Sequence, residues 1–475
     1  MLSSPYFHVI TSIRHGLADW YPRMKSGLLW CVCFVPLHDA VMAASPGQPV
    51  VARTDMRFAD GQDVIDVIEK GDLLTVVEVR DAEYVILTHD GTQGVVDKVN
   101  AVELAESTDI YSQLIEANPN EGRYHTLRAS AWWALGKNEQ ALDDFNTAIQ
   151  KGYRQPHAYS SRGLFHAANG DPDRAIADYE QALRLDPDDV TPIINRGAVY
   201  MSTGQFDRAI EDYTSALAVR RGNAALLRQR AIALKASGQL DLAIKDFDSI
   251  LETNPEDVAA IMGRGYVRFQ KREYASAAAD FSAALELNPT DPVAWNNRGY
   301  NRYQIGRAAE ALQDYDKAIE LEPEYALAHQ NRAWLLATTT DESLQDPSEA
   351  VRAAKRACEI TSYNSVGDLS ALAAALAANG QFETAVGWQE KVVEAAPPAV
   401  QTFASQMLQR YRDGKTYVAD PVAAQQAEQE AATAEAAARV KTQNEAAKAA
   451  AAKQLEERAK QDAAAERDRV GSDAG

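Results

Sequence analysis

The chain is 475 residues long and carries 48 Lys and Arg against 68 Asp and Glu, a formal net charge of -20. That length exceeds what one hydrophobic core usually serves, so two or more structural units or a repeat array are expected. The negative balance argues against nucleic acid and anionic lipid as partners, because both are held through clustered Lys and Arg that release counterions.

At the N-terminus, Arg23 and Lys25 precede the apolar stretch GLLWCVCFVPL, and the small residues Ala43, Ala44 and Ser45 come next. This is the pattern of a secretory signal, with Val41 and Ala43 suitably placed for cleavage. Residues 1–45 therefore read as a leader and signal peptide, with Met24 as the expected translation start and export to the periplasm or cell envelope as the consequence. The apolar stretch is too short to span a bilayer, which takes about 20 helical residues. The Leu-Leu-Trp-Cys sequence ending at Cys31 is a poor lipoprotein box, since Trp30 stands where a small residue is needed. Cys31 and Cys33 lack Cys or His companions at metal-ligand spacing, and Cys358 alone remains in the body of the chain, which precludes an intrachain disulfide framework there.

Residues 49–104 form short β-branched runs punctuated by Gly61, Gly71, Asp81, Gly91 and Gly94, the texture of five or so strands closing into a small all-β barrel. The order EKGDLLTVVEVRDAEYVILTHDGTQGVV resembles bacterial Src-homology-three-like domains, with Val95 where those carry an aromatic near the end. The resemblance implies a face for Pro-rich peptides or cell-wall glycans. Phe58 and Tyr84 are the only rings on offer for such a face, so the favoured reading is a spacer or packing module beside the rest of the chain.

A repeat then begins. Ala129, Gly163, Gly197, Ala231, Gly265, Gly299 and Ala333 recur every 34 residues. Behind them come Ala141, Ala175, Ala209, Ala243, Ala277 and Ala311, then the rings Phe145, Tyr179, Tyr213, Phe247, Phe281 and Tyr315. Pro187, Pro255, Pro289 and Pro323 close four of the units. Small residues where two helices cross, one ring beside them and a terminating proline resemble the tetratricopeptide repeat. The fold class expected is mainly α, a solenoid of about eight helix-turn-helix repeats over residues 122–398. A capping helix is expected before the repeats at 107–121 and another after them at 399–415. The seventh unit carries five extra residues in its loop, between Ala333 and Ala350.

Arg128, Arg162, Arg196, Arg230, Arg264, Arg298 and Arg332 precede the small residue, and an Asp from Asp144 to Asp314 precedes each ring. They read as structural Arg–Asp pairs between helices rather than as an anion-binding ladder. Residues 420–475, rich in Ala, Glu, Gln, Lys and Arg, favour a solvated helix or a fluctuating one, because alanine supplies too little burial for a stable coiled coil.

The resemblance implies that the first helix of each hairpin lines a concave surface. Its offsets single out Trp133, Met201, Tyr266, Phe269, Tyr300, Tyr303 and Trp334, with the polar Asn296, Gln304 and Gln330 beside them, as the partner-binding groove for an extended peptide or an amphipathic helix. The Lys and Asn that clamp a terminal carboxylate in chaperone-binding members are absent: Ser160, Met262 and Asn296 replace the former, Leu164, Tyr266 and Tyr300 the latter. Eight histidines show no metal-ligand spacing, and neither a phosphate loop nor a nucleophile elbow is present. The sequence thus points to a scaffold for protein or peptide partners, without catalytic residues, cofactor or metal. The alternative is wall anchoring through the barrel, with the repeats as a spacer.

Overall fold

The computed structural model describes residues 48–60, 63–88 and 93–426. The signal segment with Cys31 and Cys33, and the Ala-rich tail beyond 426, lie outside the described residues. The rest divides into two compact units between Lys271 and Arg272.

The first unit opens with strands β1 (Pro49–Ala52), β2 (Met56–Asp60), β3 (Asp63–Ile68), β4 (Leu73–Val79), β5 (Glu83–Leu87), β6 (Gln93–Asp97) and β7 (Ala101–Glu103). They form a five-stranded antiparallel sheet in the order β6-β5-β4-β1-β7 and a separate β2-β3 hairpin. The central position of β1 reflects its composition. Val50, Val51 and Ala52 are all fully buried, so both faces of the strand are covered. With side chains alternating, Val50 and Ala52 enter the core of the β-module with Ile68, Val76 and Ile86. Val51 points the other way and joins Val102 of β7, Leu104 just after it, and Tyr111 and Ala131 of the helices.

The helices of this unit begin with Thr108–Ala117, run in hairpins from Gly122–Ala134 and Asn138–Gln150 to Leu240–Thr253, and end with Val258–Gln270. Capping explains their starts. The carboxylates of Asp171, Asp189 and Asp257 accept from the backbone amides of Arg174, Thr191 and Ala260, supplying acceptors that helix N-termini lack. Between the helices of a hairpin the chain turns at Gly136, Gly170, Gly204 and Gly238, all with φ between 72° and 82°, where a side chain would be strained. Arg272 takes the equivalent place at the start of the second unit with φ 63°.

The second unit contains Tyr274–Leu287, the hairpins Pro292–Gln304 with Ala308–Leu321, Ala326–Thr338 with Pro347–Ile360, and Val366–Ala378 with Phe382–Ala395, and the closing helix Pro398–Arg412. The closing helix buries Val400, Ala404, Met407 and Tyr411 and leaves its polar residues outward. The core of this unit also holds Cys358, fully buried, whose thiol is pushed up to about 12 by desolvation and by the negative charge of Asp368 and Glu359.

The repeated arginines are clips. Arg128, Arg162, Arg196, Arg230 and Arg298 each hold, through Nε and Nη2, both carboxylate oxygens of the Asp on the partner helix of their own hairpin, at 2.7–3.0 Å. The carboxylates are nearly inaccessible, between 1% and 8% exposed. The Nη1 nitrogen can also reach back to the preceding repeat: Arg128 to Ser112, Arg162 to Asn146, Arg230 to Thr214 and Arg264 to Asp248. One side chain therefore ties three helices. Arg332, in the repeat with the long loop, bonds Asp316 behind it and Glu349 ahead.

Candidate partner-binding groove

The leading helix of each hairpin presents the residues that sequence spacing selects. In the first unit these are half-buried. Trp133 packs edge-on against Phe165 with ring centroids 5.6 Å apart. Met201 borders the cluster around Tyr200 and Leu234. Tyr266 and Phe269 are also half-buried, and the Lys235 ammonium sits 6.0 Å from the Tyr266 ring centroid, its pKa lowered by burial. Partly exposed rings with a cation near one of them suit an amphipathic or extended segment.

In the second unit the corresponding residues are buried. Asn296, Tyr300, Tyr303, Gln304, Gln330 and Trp334 are all between 1% and 7% exposed. Asn331 donates to the Asn296 side-chain oxygen at 2.9 Å, which fixes two neighbouring leading helices to each other. Desolvation raises the phenols of Tyr300 and Tyr303 well above their ordinary value.

Their cover is the chain itself. After Pro398–Arg412 and a turn at Gly414, with φ 67°, the backbone runs extended along these helices. Tyr417 places its ring 5.8 Å from Trp334 and 5.7 Å from Phe403. The Ala419 amide donates to the Thr338 carbonyl at 2.7 Å, and Ala419 forms a parallel bridge with Thr339. Further on, the Gln425 side-chain amide donates to the Gln304 carbonyl at 2.7 Å. The seat exists because of the five-residue loop insertion. Thr339 leaves the leading helix with φ -59° and ψ 146°, extended, instead of turning at a left-handed glycine. The last carbonyls of that helix therefore face an incoming strand.

Tyr417, Ala419, Phe403, Thr338 and Thr339 were not singled out by spacing, since none occupies a repeat register. The available signal was an aromatic and β-branched pair, Tyr417 and Val418, bounded by Gly414 and Pro421 in an otherwise polar stretch.

Among the described residues, no group of three or more His, Cys, Asp or Glu is placed to hold a metal ion, and no helix is long and apolar enough to cross a membrane.

Family models described as tetratricopeptide repeat match residues 126–190 and 228–292, 193–223, and 292–325. The matched residues are tetratricopeptide repeats, and repeats of this family serve generally as protein-interaction scaffolds. Among solved structures it is similar to a tetratricopeptide repeat protein from Parabacteroides merdae, at 20% identity over 55% of this chain and 97% of that one, with a TM-score of 0.41. The C-terminal part of a repeat-containing protein from Cytophaga hutchinsonii is similar at 20% identity, covering 52% and 98% of the two chains with a TM-score of 0.45. YrrB, described as a TPR protein with an unusual peptide-binding site, is 25% identical over 40% of this chain and 97% of its own, with a TM-score of 0.35. No curated protein matches the sequence.

Proposed function

We propose that this protein is an exported scaffold of the cell envelope that takes protein or peptide partners along the leading helices of its repeats and performs no catalysis. One observation carries the reading: a non-helical stretch of polypeptide, residues 417–420, already lies on those helices in the second unit, pairing its backbone with Thr338 and setting its Tyr417 ring at a tilt against Trp334. Backbone pairing combined with ring contacts at alternate residues is how extended peptides are held on protein surfaces. In the first unit the same register, from Trp133 to Phe269, is partly exposed rather than buried.

The β-module supports the scaffold reading over wall anchoring, because Val51 and Val102 commit part of its sheet to the first helices. Export rests on the basic, apolar and small-residue succession before Ser45.

A photo-cross-linking side chain placed at Trp133 or Phe269 in the native cell is expected to capture a discrete partner. The same probe at the exposed Glu211 on a trailing helix should capture little. Equal capture at both faces would defeat the groove, and a purified chain that keeps its first 45 residues would defeat export.

A further inference from the structure

We infer that residues 417–421 are a built-in competitor for the groove of the second unit, and that the partner bound there is an extended peptide of the same chemistry. That chemistry is an aromatic ring, an outward-facing residue, a small residue whose amide meets the Thr338 carbonyl, and then a carboxylate next to proline. The inference rests on the groove being a binding surface.

The geometry specifies each place. Tyr417 fills the space between Trp334 and Phe403. Val418 points outward and is half exposed, while Ala419 turns in and is 8% exposed, the alternation of a strand added to a surface. A larger side chain at Ala419 would meet Tyr303, Trp334 and Leu335 of the same buried cluster. Asp420 is exposed and accepts from the Ala423 amide at 2.9 Å, so its carboxylate stops the strand and starts a helical turn.

The occupant fits loosely, and this is the second line of argument. Beneath Tyr417 and Ala419 a small cavity of about 40 Å³ remains, and Gln304 lines it. The Gln304 side-chain oxygen is buried there without a hydrogen-bond partner. An acceptor left unsatisfied in a closed site is costly, and a ligand that donates to it binds better than the resident segment does. Beside Val422 a wider cleft of about 460 Å³ stays open between Gly306 and Thr339. The segment's approach is steered by the Arg410 guanidinium on the Thr416 carbonyl, at 2.7 Å and 3.2 Å. The Ala419–Thr338 backbone pair, the Tyr417 ring contacts and the packing of Ala419, all reinforced by a short covalent tether, are what a competing peptide displaces.

The probe is a fluorescein-labelled peptide of residues 415–422, titrated into the full chain and into the variant Tyr417→Ser with Ala419→Glu, which opens the seat. The open variant is expected to bind the peptide at least about tenfold more tightly than the native chain, because the occluded fraction no longer reduces the apparent affinity. A peptide carrying Ala419→Glu should not bind. A second variant covers the case in which the first unfolds: Thr339→Cys with Ala419→Cys joins the two bridge partners, so the oxidised protein should bind no peptide and the reduced one should recover.

Equal affinity in the native and open chains, or in the oxidised and reduced ones, overturns the inference. So does a concentration-dependent dimer of the native chain that the disulfide abolishes, which assigns the seat to a second copy. If the peptide fails while cross-links at Trp133 and Phe269 persist, this inference falls and the broader groove reading stands.

Discussion

Replacing Asp314 by alanine is expected to cost about 3–5 kcal/mol in the second unit, the range for removing one partner of a buried ion pair. Asp314 is 1% exposed and serves two guanidinium groups: Arg298 at 2.7 and 3.0 Å and Arg302 at 2.7 Å. Without it, both cations remain partly buried with their principal acceptor gone. Urea denaturation monitored by circular dichroism measures the loss. Amide exchange should locate it in Pro292–Gln304 and Ala308–Leu321, since repeat arrays are stabilised by neighbours. The control is the exposed pair Lys317 with Glu320, where Glu320→Ala should change stability by less than about 0.5 kcal/mol. Similar effects from the two substitutions would show that the clips contribute no more than surface charges do.

Tyr111→Ala is expected to cost about 3–5 kcal/mol, the range for truncating a fully buried aromatic, and to detach the β-module from the first helices. The Tyr111 ring lies among Val51, Val102, Leu104 and Ala131, and its hydroxyl donates to the Gly71 carbonyl at 3.2 Å. Two other ties between module and helices are too exposed to compensate: Arg123 with Asp72 and Lys70 with Gln113. Limited proteolysis should then cut between Glu103 and Thr108 while the repeats stay protected. Tyr111→Phe keeps the ring and should cost only about 1 kcal/mol, the net value of one hydrogen bond. An unchanged cleavage pattern in Tyr111→Ala would mean that the module is held elsewhere.

The repeats were legible because their determinants are local. Ala129, Ala141 and Phe145 recur at a fixed stride, and each is buried where that stride places it. The Arg and Asp registers were legible for the same reason, although the backward reach from Arg162 to Asn146 was not. Its acceptor changes from repeat to repeat, as Ser112, Asn146, Thr214 and Asp248, and so leaves no periodic trace. The β-module was legible as alternating β-branched runs, but its order was not. Strand β1 sits between β4 and β7 through pairing that spans most of the module, and nothing in its four residues announces those neighbours.

Of the candidate groove, helical spacing selects residues on one face of the leading helices but does not say whether that face is covered. Tyr300, Tyr303 and Trp334 are candidate anchors by helical spacing, which says which face a side chain occupies. Whether that face is covered depends on a segment more than eighty residues downstream, brought back by the direction of the closing helix.

The arginine clips also set how this protein can change in length. Arg128, Arg162 and Arg230 each reach sixteen residues forward and sixteen back, so both partners are renewed by any whole period. Excision of residues 190–223 would bring Arg230 opposite Glu180 in place of Thr214, an acceptor for an acceptor, with its own Asp246 untouched. A cut of any other size would strand a cation beside an unrelated neighbour. Gain and loss of entire hairpins is thus the conservative route by which such a chain is lengthened or shortened, while the C-terminal seat, which depends on one irregular loop, does not travel with it.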